Sequence, residues 1–202
     1  MTHPVAAFIV GLCLLFLPGC GSLTREVSKS PRTAIEQILL AQSVQRSLAD
    51  LSLPLPPQET MAVEAIGLTQ DQEYVRQLVI ERLGDLGYAV QKVDDKTPAS
   101  NLPHYRIRIL LDGLGTEQGT SFFGMPPVQS IIIPIALPKI TIYEKTAQRA
   151  LIRLALSVYR YDTNRLIGKT PWYEATTYYD QYVVLLFLSF FRTDLTLPPQ
   201  PL

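Results

Sequence analysis

Apolar residues fall into three kinds of run along the chain: one unbroken block near the start, two helical repeats, and a series of alternating stretches. The block is residues 5–17, VAAFIVGLCLLFL. Next, Ile35, Ile38, Leu39, Leu40, Val44 and Leu48 recur at helical spacing, with Thr33 and Glu36 at capping-box distance. This predicts a helix over residues 33–49. Its apolar positions exceed one stripe, which implies contact on two sides. The segment LSLPLPPQ, residues 51–58, is proline-rich and stiff, and links this helix to the rest.

Residues 60–66, TMAVEAI, fit a strand. Thr69 and Gln72 repeat the capping-box spacing, and Tyr74, Val75, Leu78, Val79 and Leu86 then recur at helical spacing up to Gly84 and Gly87. A second strand is expected at 88–93 and a loop at 94–103. Tyr105, Ile107, Ile109 and Leu111 alternate with Arg106 and Arg108, which gives a strand one dry face and one wet face. Residues 113–138 hold four glycines and four prolines among many apolar residues. They read as a long loop with extended segments. Strands resume at 140–143 and 150–161, turn at Asp162-Thr163-Asn164, and return over 166–174. The aromatic and aliphatic run 178–191 closes the chain, with residues 182–191 expected as a buried strand or short helix. The expected fold is α+β: a mostly antiparallel sheet with helices packed on one face, preceded by an N-terminal tether and helix.

The opening block is too short to span a bilayer, which takes ~20 apolar residues. It suits the apolar core of a secretory leader. It ends at Leu17, with Gly19 and Cys20 just beyond, and this ending resembles the bacterial lipoprotein signal, in which the cysteine becomes the lipid-bearing first residue. Pro18 is an uncommon occupant of the middle position, and only the amino terminus and His3 supply positive charge before the apolar core. A thiolate is the nucleophile that accepting a diacylglyceryl group requires. The expected division is therefore a signal peptide at 1–19, a lipidated tether, helix and proline-rich linker at 20–58, and an α+β domain at 59–202. Gly21 stands where an aspartate would signal inner-membrane retention, so the resemblance implies the periplasmic face of the outer membrane, or the outer face of the inner membrane if sorting differs.

Charge narrows the function classes. Eighteen Lys and Arg balance eighteen Asp and Glu, and the leader carries none of them. Nucleic-acid binding calls for a basic surface, so it is not expected. With Cys13 in the leader and Cys20 lipidated, no disulfide is available. His104 is the only histidine beyond residue 19, which leaves no histidine-based metal cluster and no Cys/His pair. No cofactor is expected.

Three blocks carry a wider resemblance. They are Thr33-Ala34-Ile35-Glu36-Gln37-Ile38-Leu39-Leu40 with Val44 and Arg46; Gly113-Leu114-Gly115-Thr116 with Phe123-Gly124-Met125-Pro126, Pro138 and Ile140; and Tyr143-Glu144-Lys145-Thr146-Ala147-Gln148-Arg149. Together they resemble an uncharacterised family of bacterial lipoproteins with a domain of unknown function. The resemblance covers most of the chain beyond the leader, while residues 182–191 are more apolar than that family's pattern. It implies no activity and no catalytic residue. In architecture alone, the order of elements is similar to envelope lipoproteins that serve export and lipopolysaccharide assembly.

The candidate chemistry is sparse. No Gly-x-Ser-x-Gly or Ser-x-x-Lys occurs, so serine nucleophile chemistry is not expected. Gly113-x-Gly115 opens no helix, and a phosphate site there is weak. His104 reads as a solvated loop-end residue. Asp94, Asp95, Asp112, Glu117 and Glu174 are the carboxylates available to an envelope hydrolase, a reading with little beneath it. The candidate site is instead an interaction surface: Phe122, Phe123, Met125, Ile131, Ile132 and Ile133, with Cys20 as the lipid attachment. The expected role is a non-enzymatic binding or structural component of an envelope complex, held to the membrane by its lipid and meeting a protein partner. The alternative is a carrier of a lipid or other apolar ligand, with the same residues lining a pocket.

Overall fold

The computed structural model describes residues 31–93, 98, 101–129 and 136–198. Cys20 and Ile131, Ile132 and Ile133 lie outside them. Residues Arg32–Leu202 form one compact unit. Among the described residues it has two helices, α1 (Ala34–Ser47) and α2 (Gln72–Asp85). The strands are β1 (Thr60–Gly67), β2 (Ala89–Val90), β3 (Tyr105–Met125), β4 (Val128–Gln129), β5 (Ala136–Leu137), β6 (Ile140–Arg160), β7 (Leu166–Lys169), β8 (Tyr173–Val184) and β9 (Leu188–Thr193). The main sheet runs in the order β2-β1-β3-β6-β8-β9, with β7 also on β6, and β4 pairs β5 separately.

The fold is largely β, and its sheet curls. This corrects the expected balance between helices and sheet. The reason lies in two strands of 21 residues each, β3 and β6. The segment read as a loop from residue 113 onward continues β3 to Met125. The strands expected separately at 140–143 and 150–161 are one strand, β6. Antiparallel pairing dominates as expected, with β1 parallel to both β2 and β3.

The alternating positions form the core. Ile107, Ile109 and Leu111 of β3, and Ile152, Leu154, Leu156 and Val158 of β6, point to one face. There they meet Met61 and Val63 of β1 and Val75, Val79 and Leu83 of α2. Each such aliphatic side chain contributes about 1.5–3 kcal/mol on burial. The opposite face carries Arg106, Arg108 and Arg153, whose guanidinium groups lie over Tyr161, Tyr159 and Trp172 at 4.7, 5.0 and 4.7 Å. Gly67 is required where β1 crosses close to β3, because a Cβ there would stand 2.9 Å from that of Leu111.

Helix α1 begins as its sequence indicates: Thr33 accepts from the Glu36 N–H, and Glu36 accepts from the Thr33 N–H. It faces two clusters, as its broad apolar surface implied. Val44 and Leu48 enter the main core, while Leu39 and Leu40 join Ala150, Tyr179 and Leu195 in a second. Helix α2 departs from expectation. Its N-cap is Asp71 with no side-chain cap bond, and Thr69 accepts the Asp71 N–H one step earlier. Arg82 of α2 donates to the Leu48 and Ala49 carbonyls and so ties the C-terminal end of α1 to α2.

A polar latch fixes α1 across β8 and the C-terminal segment. Arg46 donates to Asp194 Oδ2 at 2.6 Å and to the Thr176 carbonyl at 2.7 Å, and the Tyr178 N–H donates to Asp194 Oδ1 at 2.8 Å. Burial alone would push the Asp194 carboxyl up, but Arg46 and the Tyr178 amide outweigh it and hold it below the usual range. A depressed carboxylate contributes stability that is present above its unfolded pKa, about 3.9, and is lost as pH falls through the lower folded value.

Candidate functional site: the far end of the strand blade

Beyond the helices, β3, β6, β8 and β9 continue as a four-stranded blade. Its register assigns side chains to faces, because directly opposed residues share one. The row Phe123, Tyr143, Val184 and Leu188 lies on the open face, away from the helices, and so does the row Ser121, Lys145, Tyr182 and Phe190. The helix side carries Thr120, Thr146 and Gln181, then Gln118 and Gln148. The same side also carries Tyr179 and Phe191, which pack in the second core cluster, and Phe122 and Val183 beside Glu144 further out. Apolar residues thus lie on both faces of the blade, and those of the open face are not core. Phe123 is 66% exposed, and Leu188 and Phe190 are about half exposed.

The turn from β8 to β9 adds Leu185, Leu186 and Phe187, the last 78% exposed. Leu185 and Leu186 have φ of 50° and 70°. That left-handed region suits glycine or asparagine, and each leucine there costs roughly 1–2 kcal/mol. The turn is anchored all the same: its Leu185 and Leu186 N–H groups donate to the Ile142 and Thr141 carbonyls of β6, both at 2.9 Å. The tip of this hairpin thus lies beside the far end of the β3–β6 hairpin. Gly124 permits the bulge there, since a Cβ at its φ of 153° would collide with the Ile140 carbonyl oxygen. The run 182–191, expected as a buried element, is an exposed hairpin end.

On the open face, charge begins only behind this apolar end. Asp180, 5% exposed, accepts from Lys145 at 2.9 Å and faces Arg149 at 3.7 Å. Its Oδ1 has no hydrogen-bond partner. Asp180 and the Tyr182 hydroxyl hold the Lys145 ammonium above its usual range, so it stays charged. Tyr182 stacks on Phe190 at 4.9 Å and Tyr179 on Phe191 at 5.5 Å. Lys139, which precedes β6 at the far end, bends back over the Phe122 ring at 4.8 Å to reach Glu144 at 2.7 Å.

Of the expected surface residues, Phe122, Phe123 and Met125 therefore come together at the blade end, all exposed. Ile131, Ile132 and Ile133 are not described. Leu185, Leu186, Phe187, Leu188 and Phe190 were missed as surface. A signal for them is present in the sequence: no charged residue falls between Glu117 and Lys139, or between Asp180 and Arg192. Those two gaps mark the two hairpin ends.

Among the described residues weighed for catalysis, His104 stands apart from Asp112 and Glu174. His104 lies ahead of β3, its Nδ1 2.8 Å from Glu59 Oε2, largely in solvent. Asp112 and Glu174 flank Arg153 at 3.4 and 3.2 Å on the open face. These are ion pairs without hydrogen-bond geometry, since Arg153 Nε lacks a bonded partner. Asp94 and Asp95 lie outside the described residues. Among the described residues, no cluster of three or more His, Cys, Asp or Glu could hold a metal. No described helix is long and apolar enough to cross a membrane, which leaves strands out of account.

No protein-family model matches the sequence, and no curated protein matches it. Among solved structures, the chain aligns with a "putative neuraminyllactose-binding hemagglutinin homolog" from Helicobacter pylori. The alignment covers 59% of this chain and 67% of that one, at 12% identity and a TM-score of 0.29. A likeness of that size carries no argument about fold or activity.

A second feature is a cleft of about 450 Å³ between α1 and the start of α2, lined by Ala34, Ile38, Ala41, Val44, Tyr74 and Leu114. The Arg32–Asp71 ion pair, at 2.7 Å, stands beside it.

Proposed function

We propose that this protein is a lipid-anchored, periplasm-facing envelope protein with a binding or structural role, and that the blade end is its working surface. One observation carries this reading. Phe123, Leu185, Leu186, Phe187, Leu188 and Phe190 form one exposed apolar end on strands that a separate core already stabilises. A domain rarely leaves such a patch uncovered without using it. The leader-like block ending at Cys20 supplies the anchor in this account. It would hold the domain at the outer membrane, where a protein or a lipid surface can meet the blade. In this reading the role is non-enzymatic: among the described residues, His104 pairs with Glu59, and Asp112 and Glu174 flank Arg153 at the surface.

Cys20→Ser tests the anchor. An alcohol is a far weaker nucleophile than a thiolate. The variant is expected to lose palmitate labelling in cells and to accumulate as the longer precursor. Labelling that persists in Cys20→Ser would refute the anchor at this residue.

The carrier reading keeps one observation, the cleft between α1 and α2. Its volume falls in the range of small-molecule sites, about 300–1,000 Å³, and its lining is mostly apolar. At the blade end, Phe122, Phe123 and Met125 are exposed, so among the described residues the cleft between α1 and α2 supports the carrier reading better than they do.

A further inference from the structure

We infer that the blade end seats in the headgroup and upper acyl region of a lipid bilayer, with the Leu185-Leu186-Phe187 turn and Phe123 entering first. This inference rests on the reading of the blade end as the working surface, and names what covers it. Four features favour lipid over a protein groove.

The first is layering. On the open face, the turn and the row Phe123, Tyr143, Val184 and Leu188 carry no charge; the Lys139–Glu144 pair at this depth lies on the other face. Next come Tyr182 and Phe190 with the ammonium of Lys145, and then Asp180 and Arg149. Apolar, then aromatic with basic, then charged is the order a bilayer presents from its interior to water.

The second is Lys139. It sits at the far end, yet its ammonium is drawn back over Phe122 to Glu144. A lysine behaves so where its stem lies in an apolar zone and its charge must stay in the wet layer.

The third is backbone satisfaction. At the tip, the turn donors at Leu185 and Leu186 are bonded to β6, which lowers the cost of placing them among headgroups and upper acyl chains. The fourth is the choice of leucine at two left-handed positions, where glycine or asparagine would relieve strain. Such strain is retained where the side chains serve a purpose, and here the only thing glycine would lack is apolar bulk at the tip.

Length sets the depth. From Asp180 to the turn, β8 runs about five residues, or ~16 Å at 3.3 Å each. A crossing strand takes about 9–11 residues. The blade end thus enters one leaflet and does not traverse it.

The test uses the full chain with Cys13→Ser, produced in cells, purified and placed in vesicles of phosphatidylethanolamine and phosphatidylglycerol. Phe187→Cys carries an environment-sensitive dye, and Thr176→Cys, exposed on the open face near the base, carries it as the reference. Leu186→Cys replaces Phe187→Cys if that variant melts early. The expected result is a blue-shifted emission at residue 187 that loses most of its intensity with acyl-chain nitroxide lipid and little with aqueous iodide. The dye at residue 176 should show the reverse. Iodide quenching at 187 equal to that at 176 would overturn the inference. So would protection from both quenchers, which would place a protein partner or a second copy there and leave the working surface itself intact. Failure of the anchor is read separately, as dye taken up at Cys20 in the parent chain lacking the introduced cysteine.

Discussion

Phe123→Asp is expected to leave the melting temperature of the domain almost unchanged while removing its hold on whatever covers the blade. The two halves of this result follow from exposure. A charge placed in a core costs several kcal/mol, because it is desolvated and unpaired. Truncating a buried phenylalanine costs about 3–5 kcal/mol more. Phe123, at 66% exposed, meets neither condition. Its new carboxylate would stand in water, and the lost packing would be a surface contact, within about 0.5 kcal/mol. The bound state differs. The carboxylate would enter the uncharged row with Tyr143, Val184 and Leu188, where nothing opposite can pair with it. Thermal unfolding of the variant checks the first half. A large fall in melting temperature would mean that the blade end folds against the domain's own core.

Leu39→Ala carries the largest expected loss of stability. Leu39 is fully buried at the centre of the second cluster, against Ala150, Tyr179 and Leu195, and its carbonyl accepts from Thr177 at 2.9 Å. Removing three carbons leaves a cavity that α1 cannot close, because Arg46 and Gln42 latch it to Asp194 and Arg82 ties its end to α2. Such substitutions cost about 2–5 kcal/mol. Urea denaturation is expected to show a midpoint lowered accordingly, with the slope unchanged. A cost below about 1 kcal/mol would show that α1 is loosely held and does not brace the base of the blade. Set beside Phe123→Asp, the pair separates the two halves of the sheet: the base is stabilised by its core, while the far end is stable without one.

The sequence was most legible where period and burial agree. The capping box at Thr33 and Glu36 and the helical spacing after it located α1, and the alternation at 105–111 and 152–158 located the core strands. It misled where residue type and conformation part company. Residues 113–125 contain glycines and polar residues that favour loops, yet they form β3, because 21-residue β6 runs alongside and pairs them from Gly113 to Met125. Pairing overrode propensity there. In 182–191, unbroken apolarity predicts burial, since most such runs are buried, yet Leu185 to Leu188 and Phe190 are exposed. The turn at Leu185 and Leu186 could not be foreseen, because leucine rarely adopts positive φ. The better guide was the distribution of charge. Two gaps, one after Glu117 and one after Asp180, belong to strands far apart in the chain, and only the fold shows that they end side by side.

The most direct test of the central claim is site-specific photo-crosslinking in intact cells. A benzophenone side chain at position 187 reports on the blade end, and one at Thr176 reports on the base of the same face. If the blade end is the working surface, position 187 yields an adduct at native expression, position 176 yields none, and adding Phe123→Asp removes the adduct without lowering the amount of folded protein. Adducts at 176 with none at 187, or an adduct at 187 indifferent to Phe123→Asp, would contradict the account.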